Sequence, residues 1–258
     1  MNDTHAPDLV VVTGASSGIG EATVRHLRGL GTPVVAVARR RERLETLAGE
    51  VGCEVVAADL ATAEGARALT DHVGARALAA VVANAGGARG VDPVEAAGGE
   101  EAEAVIGRWR EMYDMNVVAT LRTVTALLPA LRAGGGDVVV VTSMAAREFY
   151  PGGAGYTAAK HAERAIPATL RMELLGEPIR IIEIAPGLVH TEEFSLRRLG
   201  DRARAEAVYA GVPGPLHAAD VAEAIAWTLS RPAHVNIDLL EINPVAQAGA
   251  TRVHRLTP

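Results

Sequence analysis

The sequence predicts an α/β protein: a doubly wound parallel sheet of about seven strands with helices on both faces, in one domain. Three observations carry that prediction. Short apolar, β-branched runs recur along the chain, of the kind that forms strands buried on both faces. Helical stretches alternate with them. The first run, Leu9 to Thr13 (Leu-Val-Val-Val-Thr), leads directly into a glycine-rich turn and then a helical stretch.

Composition narrows the class. With 49% hydrophobic and 22% charged residues, the 258-residue chain reads as a packed globular protein rather than a disordered one. Aromatics make up 3%, so Ala, Val, Leu and Ile must build the core. A net charge of −6 gives no electrostatic case for nucleic acid, and no basic amphipathic stretch suggests a membrane surface. Asp, Glu, Arg or Gly interrupts each apolar run before it reaches spanning length. The single cysteine, Cys53, excludes an intrachain disulfide framework and a multi-cysteine metal site, and it suits a reducing compartment. The 8 histidines are scattered, without the paired spacing of a metal site. The amino terminus carries no basic-then-apolar leader. The expectation is a soluble, cytoplasmic protein with no nucleic-acid, membrane or metal partner.

In order along the chain, the turn after the first strand reads Gly14-Ala-Ser-Ser-Gly18-Ile-Gly20, followed by a helix from Glu21 to Leu30. Glycines at those positions allow a tight turn, close backbone approach to a diphosphate, and close helix–strand packing. The helix that follows offers unpaired N–H groups and a positive dipole end. Val34 to Ala38 is the second strand. An acidic residue about twenty positions past the turn would bond an adenine ribose hydroxyl and select NAD. None stands between Val34 and Arg41; Arg39 and Arg40 are there instead, and a guanidinium suits a 2′-phosphate. The reading is NADP, against the alternative that these arginines cap a solvated loop. Cys53 to Asp59 is the third strand, with Asp59 and Leu60 where an adenine edge would lie. Ala79 to Ala83 is the fourth, ending in Asn84-Ala85-Gly86-Gly87, small residues that let backbone approach a cofactor. Ala88 to Gly107 reads as a surface excursion, and Arg108 to Leu131 as a long helix. Asn116 sits in the apolar pattern of that helix, where its amide competes with the backbone. It is either a helical irregularity or an amide holding a water in a proton path.

Val138 to Thr142 then delivers Ser143 to the mouth of the sheet. A glycine-rich loop, Pro151 to Gly155, precedes Tyr156 and Lys160, whose i, i+4 spacing puts phenol and ammonium on one helical face. Lys160 is the only lysine in the chain, against 24 arginines. An ammonium is a compact point charge that can lower a nearby phenol's pKa, whereas a guanidinium is planar and forked. The helix runs to about Leu175, and Ile179 to Ala185 is the sixth strand. Residues 188–216 make a long segment that caps a site, with a charged helix-like part from Leu199 to Tyr209. Ala219 to Ser230 reads as a helix and Asn236 to Ile242 as the last strand. The polar tail, Gln247 to Pro258, is expected to be loosely held or used between subunits. No internal repeat or linker divides the chain.

These residues resemble the short-chain dehydrogenase/reductase family over essentially the whole chain. The motifs are Thr13-Gly14-x-x-x-Gly18-x-Gly20, Asn84-Ala85-Gly86, Asn116, Ser143, Tyr156-x-x-x-Lys160 and Pro186-Gly187 with Thr191. One departure is Ala83, where the family commonly has a second Asn, with an expected effect on packing more than chemistry. The resemblance implies a Rossmann-type fold that holds NADP through Gly14, Ser16, Ser17, Gly18, Ile19, Gly20, Arg39, Arg40, Asp59, Leu60, Asn84, Ala85, Gly86, Tyr156, Lys160, Pro186, Gly187, Val189 and Thr191. It implies Tyr156 as general acid/base, Lys160 as the charge that lowers its pKa and holds the ribose hydroxyls, Ser143 as the donor that orients the substrate oxygen, and Asn116 as the holder of a relay water. Thr191 would bond the nicotinamide carboxamide or a phosphate. Homo-oligomers, tetramer or dimer, formed through the two long helices are a further implication.

In the C-terminal third, Pro186-Gly-Leu-Val, Thr191-Glu-Glu-Phe-Ser195, Gly200-Asp201, Tyr209 and Pro232 to Glu241 with Asn243-Pro-Val are similar to one subgroup, the NADP-dependent 3-hydroxy acid dehydrogenases. These act on serine, allo-threonine and 3-hydroxypropionate and reduce malonic semialdehyde. The clavulanate-type aldehyde reductases look like a neighbour, and the Val-Asp-Gly-Gly stretch usual in acyl-carrier-protein ketoreductases is absent. The expected partner is thus a small alcohol or carbonyl compound. A carboxylate substrate would want a cation, and Arg147, Arg197 and Arg198 are the candidates. Against that, Arg197 and Arg198 fit a solvated face, and Arg147 fits a pair with Glu148. His190 fits either a substrate contact or a solvated loop. Two other readings stand: an NADPH-dependent aldehyde or ketone reductase of specialised metabolism, and a non-catalytic NADP-binding regulator. Such regulators tend to lose the Tyr or Lys, and this chain keeps both.

Overall fold

The strands, in chain order, are β1 (Val10–Thr13), β2 (Val34–Ala38), β3 (Glu54–Ala57), β4 (Ala80–Ala83), β5 (Asp137–Val141), β6 (Arg180–Pro186), the two-residue β7 (Val189–His190) and β8 (Leu216–His217), and β9 (Leu239–Ile242). The helices are α1 (Gly18–Gly29), α2 (Arg41–Val51), α3 (Ala63–Val73), α4 (Ala102–Tyr113), α5 (Ala119–Gly134), α6 (Ala154–Glu173), α7 (Phe194–Leu199), α8 (Arg202–Ala207) and α9 (Ala218–Leu229). This computed structural model describes residues 9–256. The amino-terminal residues with His5, on which the expectation about a leader falls, and the last two residues of the tail lie outside that range.

Seven strands form one parallel sheet in the order β3-β2-β1-β4-β5-β6-β9, and β7 pairs with β8 apart from it. The order reverses between β1 and β4, and a crevice opens at such a switch point beyond the strands' carboxyl ends. The valine runs explain the layers. Alternate residues of a strand face opposite sides. Val11, Val35, Val37, Val81, Val138 and Val140 therefore pack with Leu69 of α3 and Val124, Leu127 and Leu131 of α5. Val10, Val12, Val34, Val82 and Val139 pack on the other side with Val24 of α1, Leu44 of α2 and Ile225 of α9. Both faces are covered, which is why these strands are apolar throughout. Ala83 is buried within this sheet, opposite Val140.

Several elements depart from the sequence reading. The long helix begins at Ala102 rather than near Arg108, so the excursion is shorter than expected. A π-helical turn, Asp114–Val118, joins α4 to α5 and contains Asn116. The continuous helical stretch Ala102–Gly134, 33 residues, is long and apolar enough by length and composition to cross a bilayer, against the expectation that no run is. Its buried side chains Val124, Leu127 and Leu131 pack on the sheet. The expected helix from Leu199 to Tyr209 is broken. Gly200 closes α7 in the left-handed region (φ +68°), and Asp201 caps α8 by accepting from the Arg204 N–H at 2.7 Å. The tail is also tied down: His254 N–H donates to Ala246 O at 2.7 Å and Leu256 N–H to Gly211 O at 2.7 Å.

Candidate active site

The crevice is built from the carboxyl end of β1 outward. Thr13 Oγ1 accepts from the N–H groups of Asn84 and Ala85, both at 2.9 Å, and Asn84 Nδ2 donates to Thr13 O at 3.0 Å. These bonds draw the end of β4 against the glycine-rich turn. A Cβ on Gly20 would lie 2.4 Å from Gly14 O and 2.6 Å from Asn84 Nδ2, and one on Gly14 would lie 2.8 Å from Asn84 Nδ2. Only glycine fits either position. The turn is closed tightly in front of the start of α1, and a helix start is where an anion is favoured.

Arg40 lies across this turn. Its Nη2 donates to Ser16 Oγ and Ser17 Oγ, both at 2.9 Å, and its Nη1 to Glu193 Oε1 at 2.7 Å. Arg43 and Arg197 also reach Glu193, at 3.2 Å and 2.9 Å. Arg39 sits further out, 3.9 Å from Asp59. Asp59 Oδ1 accepts from Ala61 N–H at 3.1 Å. Arg41 and Arg43 belong to the first turn of α2, so the arginines are not a loop cap as a group. Arg40 is the one that joins the turn.

The second half of the site comes from β5 and α6. Ser143 follows β5 in extended conformation, and its Oγ accepts from Ala145 N–H at 3.1 Å. Tyr156 and Lys160 share one face of α6, both buried. Lys160 Nζ donates to Val141 O at 3.2 Å and to Glu163 Oε2 at 2.6 Å. Burial pushes the Tyr156 phenol above its ordinary range, against the pull of the Lys160 charge and the Ser143 hydroxyl. Burial also works against the Lys160 ammonium, but Glu163 and its other anionic neighbours hold its pKa above the usual lysine value. Asn116 Oδ1 accepts from Gly87 N–H at 3.1 Å, and its Nδ2 donates to Gly87 O and Met112 O at 2.9 Å and 2.7 Å. Its amide pins the loop after β4. A Cβ on Gly86 would come within 2.5 Å of Asn116 Oδ1 and 3.5 Å of Lys160 Nζ, so this glycine lies between the two.

The segment between β6 and α9 folds over the same crevice. A Cβ on Gly187 would meet Asn243 Oδ1 at 2.2 Å, and Gln247 Oε1 accepts from Leu188 N–H at 2.7 Å. The chain after β9 therefore shapes the Pro186–Gly187 turn. Thr191 Cγ2 lies 3.4 Å from where a Gly18 Cβ would stand, over the glycine-rich turn. Tyr209 donates its hydroxyl to Val189 O at 3.0 Å, and His190 packs edge-on against the Tyr209 ring. Phe194 packs against the Tyr156 ring at 5.8 Å. The cleft enclosed this way measures about 1490 Å³, and the glycine-rich turn, Arg40, Ser143, Tyr156, Lys160, Thr191 and Arg198 all line it.

The three arginine candidates separate. Arg147 is half-buried and paired with Glu183 at 2.7 Å, not with Glu148, which accepts from Ala250 N–H. Arg197 is exposed and paired with Glu193. Arg198 turns inward. Its guanidinium carbon lies 5.5 Å from the Tyr150 ring centre and 5.6 Å from that of Tyr156. Its hydrogen bonds go to neutral acceptors, the Gly90 carbonyl at 3.2 Å, the Tyr150 hydroxyl at 3.1 Å and the Gly152 carbonyl at 3.4 Å. Sequence reasoning missed Tyr150, Glu163, Glu193 and Phe194. Contacts between distant segments bring Tyr150, Glu193 and Phe194 to the site, whereas Glu163 lies three residues from Lys160 on α6 and is buried by the packing of α5.

A dinucleotide fits these residues: a glycine turn no Cβ can enter, a helix start behind it, a cation on its rim, and a buried phenol–ammonium pair at the far end. That combination defines a nicotinamide-dependent oxidoreductase acting on CH–OH groups. The chain belongs to the short chain dehydrogenase family, whose profile matches residues 8–199. It is 56% identical to an uncharacterized oxidoreductase of Mycobacterium tuberculosis, over 95% of this chain and 94% of that protein. It is 36% identical to an NADP-dependent 3-hydroxy acid dehydrogenase of Escherichia coli, over 96% of this chain and 99% of that one. Among solved structures, the closed form of serine dehydrogenase complexed with NADP+ superposes with a TM-score of 0.87 at 34% identity, covering 96% of this chain and 100% of that one.

Proposed function

We propose that this enzyme is an NADP-dependent dehydrogenase/reductase of short 3-hydroxy and 3-oxo acids. The observation that carries the substrate class is Arg198. It is a cation beside the Tyr156 ring that has no carboxylate partner among the described residues. A substrate carboxylate is the group it lacks, and a 3-hydroxy acid puts that carboxylate and the reacting hydroxyl two carbons apart. The resemblance to the serine and 3-hydroxy acid dehydrogenases supports the same class.

The 2′-phosphate of NADP would be held by Arg40 with Ser16 and Ser17, and Arg39 lies within reach of the same rim. The diphosphate would rest on the Gly14–Gly20 turn. Asp59, Leu60 and Asn84 to Gly86 would flank the adenosine, and Pro186, Gly187, Val189 and Thr191 the nicotinamide. When bound, the nicotinamide takes or supplies the hydride. Tyr156 moves the matching proton at the substrate oxygen, and Ser143 donates to that oxygen and fixes its direction. Lys160 favours the phenolate electrostatically and bonds the ribose hydroxyls. Asn116 fixes the loop beside Lys160 through its amide, and a relay water held at this residue completes the proton path. The single Cys53 suits a cytoplasmic setting. Exposed Tyr113 and Leu121 on the long helix suit a homo-oligomer.

The test is Arg198→Met beside Arg197→Met. A charged hydrogen bond contributes about 1.5–3 kcal/mol, so Arg198→Met should lower kcat/KM for 3-hydroxy acids roughly 10- to 100-fold. Uncharged secondary alcohols should change little, and Arg197→Met should spare both. Equal losses on charged and uncharged substrates would overturn the substrate reading.

A further inference from the structure

One buried acid beside the active site has no part in the chemistry above. Glu163 lies one turn beyond Lys160 on α6 and is fully buried. Its Oε2 accepts from Lys160 Nζ at 2.6 Å, and its Oε1 accepts from Thr120 Oγ1 of α5 at 3.0 Å. The other protein acceptor of Lys160 is the Val141 carbonyl. Taking a carboxylate and an ammonium out of water is costly unless each satisfies the other. Here both oxygens of the acid are used, one on the lysine and one on a hydroxyl supplied from a neighbouring helix.

The surrounding charges are few. On α6 itself, Tyr156 faces Lys160. From β6, Glu183 faces the pair, but its oxygens are occupied by Thr142 at 2.6 Å and Arg147 at 2.7 Å, with Arg164 at 3.9 Å. From the loop before α6, Tyr150 faces Tyr156, and from α7 the Arg198 guanidinium carbon lies 5.6 Å from the Tyr156 ring centre. The loop after β4 presents Gly86 and the π turn between α4 and α5 presents Asn116, neither of which titrates. Glu183 is therefore already matched by an arginine, and Glu163 is the carboxylate that answers Lys160 directly.

We propose that Glu163 is a positioning residue that keeps Lys160 anchored and protonated in its buried site and offsets, at Tyr156, part of the field of that ammonium. This rests on the reading of Tyr156 and Lys160 as the reacting pair. Lysine, acid and phenol then titrate as one unit, and the acid helps set the pH range of activity. A neutral lysine would be the cheaper buried form. With Glu163 beside it, the ammonium survives burial, at the expense of a weaker pull on the phenol.

Because Lys160 is the only lysine in the chain, labelling lysine with carbon-13 at Cε gives one side-chain NMR signal from the sequence. In the wild-type protein that signal should keep its ammonium position up to and beyond the ordinary lysine pKa of about 10.4. In Glu163→Gln its midpoint should fall by about one unit or more, because the buried ammonium loses its counter-ion. Below that midpoint, the alkaline rise of kcat for alcohol oxidation should also begin about one unit lower, since an anion facing Tyr156 has gone. A purely structural role would lower activity without moving either titration. Wild-type Lys160 titrating below the ordinary lysine value, or a Gln variant that leaves both titrations in place, would overturn the proposal. If the Gln variant does not fold, the wild-type titration decides alone. The NMR readout needs no turnover, so a failure of the catalytic reading shows separately, as an absence of oxidoreductase activity with the lysine titration as described.

Discussion

Arg40→Ala tests the proposal that Arg40 holds the 2′-phosphate of NADP. Arg40 lies across the glycine-rich turn, with Nη2 2.9 Å from both Ser16 Oγ and Ser17 Oγ. A guanidinium–phosphate bond is charge-assisted and contributes about 1.5–3 kcal/mol. The Arg40 side chain is 30% exposed, which places the effect in the lower half of that range. About 1.5–2 kcal/mol corresponds to roughly a 10- to 30-fold weaker hold on NADP. NAD carries an uncharged hydroxyl at that position and should bind within about twofold of wild type. The loss also releases Glu193 from one of its three arginines, leaving a carboxylate near an incoming phosphate and adding to the discrimination. The assay is steady-state KM for the two cofactors, backed by direct titration of each reduced cofactor by fluorescence. A variant that weakens NADP and NAD equally, or neither, would refute the assignment of Arg40.

Three further outcomes follow from the geometry. Tyr156→Phe keeps the ring against Phe194 but removes the proton donor, so kcat should fall at least about 100-fold while NADPH affinity stays within a few-fold of wild type. The phenol's pKa is raised by burial, and oxidation needs it deprotonated whereas reduction needs it protonated. Alcohol oxidation should therefore climb with pH through the alkaline range while carbonyl reduction declines, and an oxidation rate flat from neutral pH upward would contradict this. Gly20→Ala sets a Cβ 2.4 Å from Gly14 O, so the turn must open. Cofactor affinity should be lost, and thermal unfolding should no longer respond to added NADP.

Local patterns made much of the fold legible. The valine runs mark strands buried on both faces, and the spacing of Gly14, Gly18 and Gly20 marks the turn that follows the first of them. The i, i+4 pair of Tyr156 and Lys160 marks the face of α6 that lines the cleft. What escaped depends on long-range contacts. Glu163 stands in a His-Ala-Glu-Arg stretch that looks like a solvated helix face, and only the packing of α5 against α6 buries it beside Lys160. Arg197 and Arg198 are adjacent and alike in sequence, yet α7 directs one toward Glu193 and the other over Tyr156. Arg147 is read locally as a partner of Glu148, but the return of β6 beside β5 offers Glu183 instead. The tail looks loose because its bonds, to Gly211 and Ala246, are not visible as a periodicity. Asn116 is open in the sequence between a helical irregularity and a water-holding amide; the structure shows a π turn around it that aims its amide at Gly87.

The most direct test is a set of initial rates, followed by the absorbance of reduced nicotinamide, with NADP and then NAD as oxidant. The substrates are L-serine, allo-threonine, 3-hydroxypropionate and uncharged secondary alcohols. The account predicts clear preference for NADP and for the substrates that carry a carboxylate. Preference for NAD, or turnover confined to uncharged alcohols and bulky carbonyls, would contradict it.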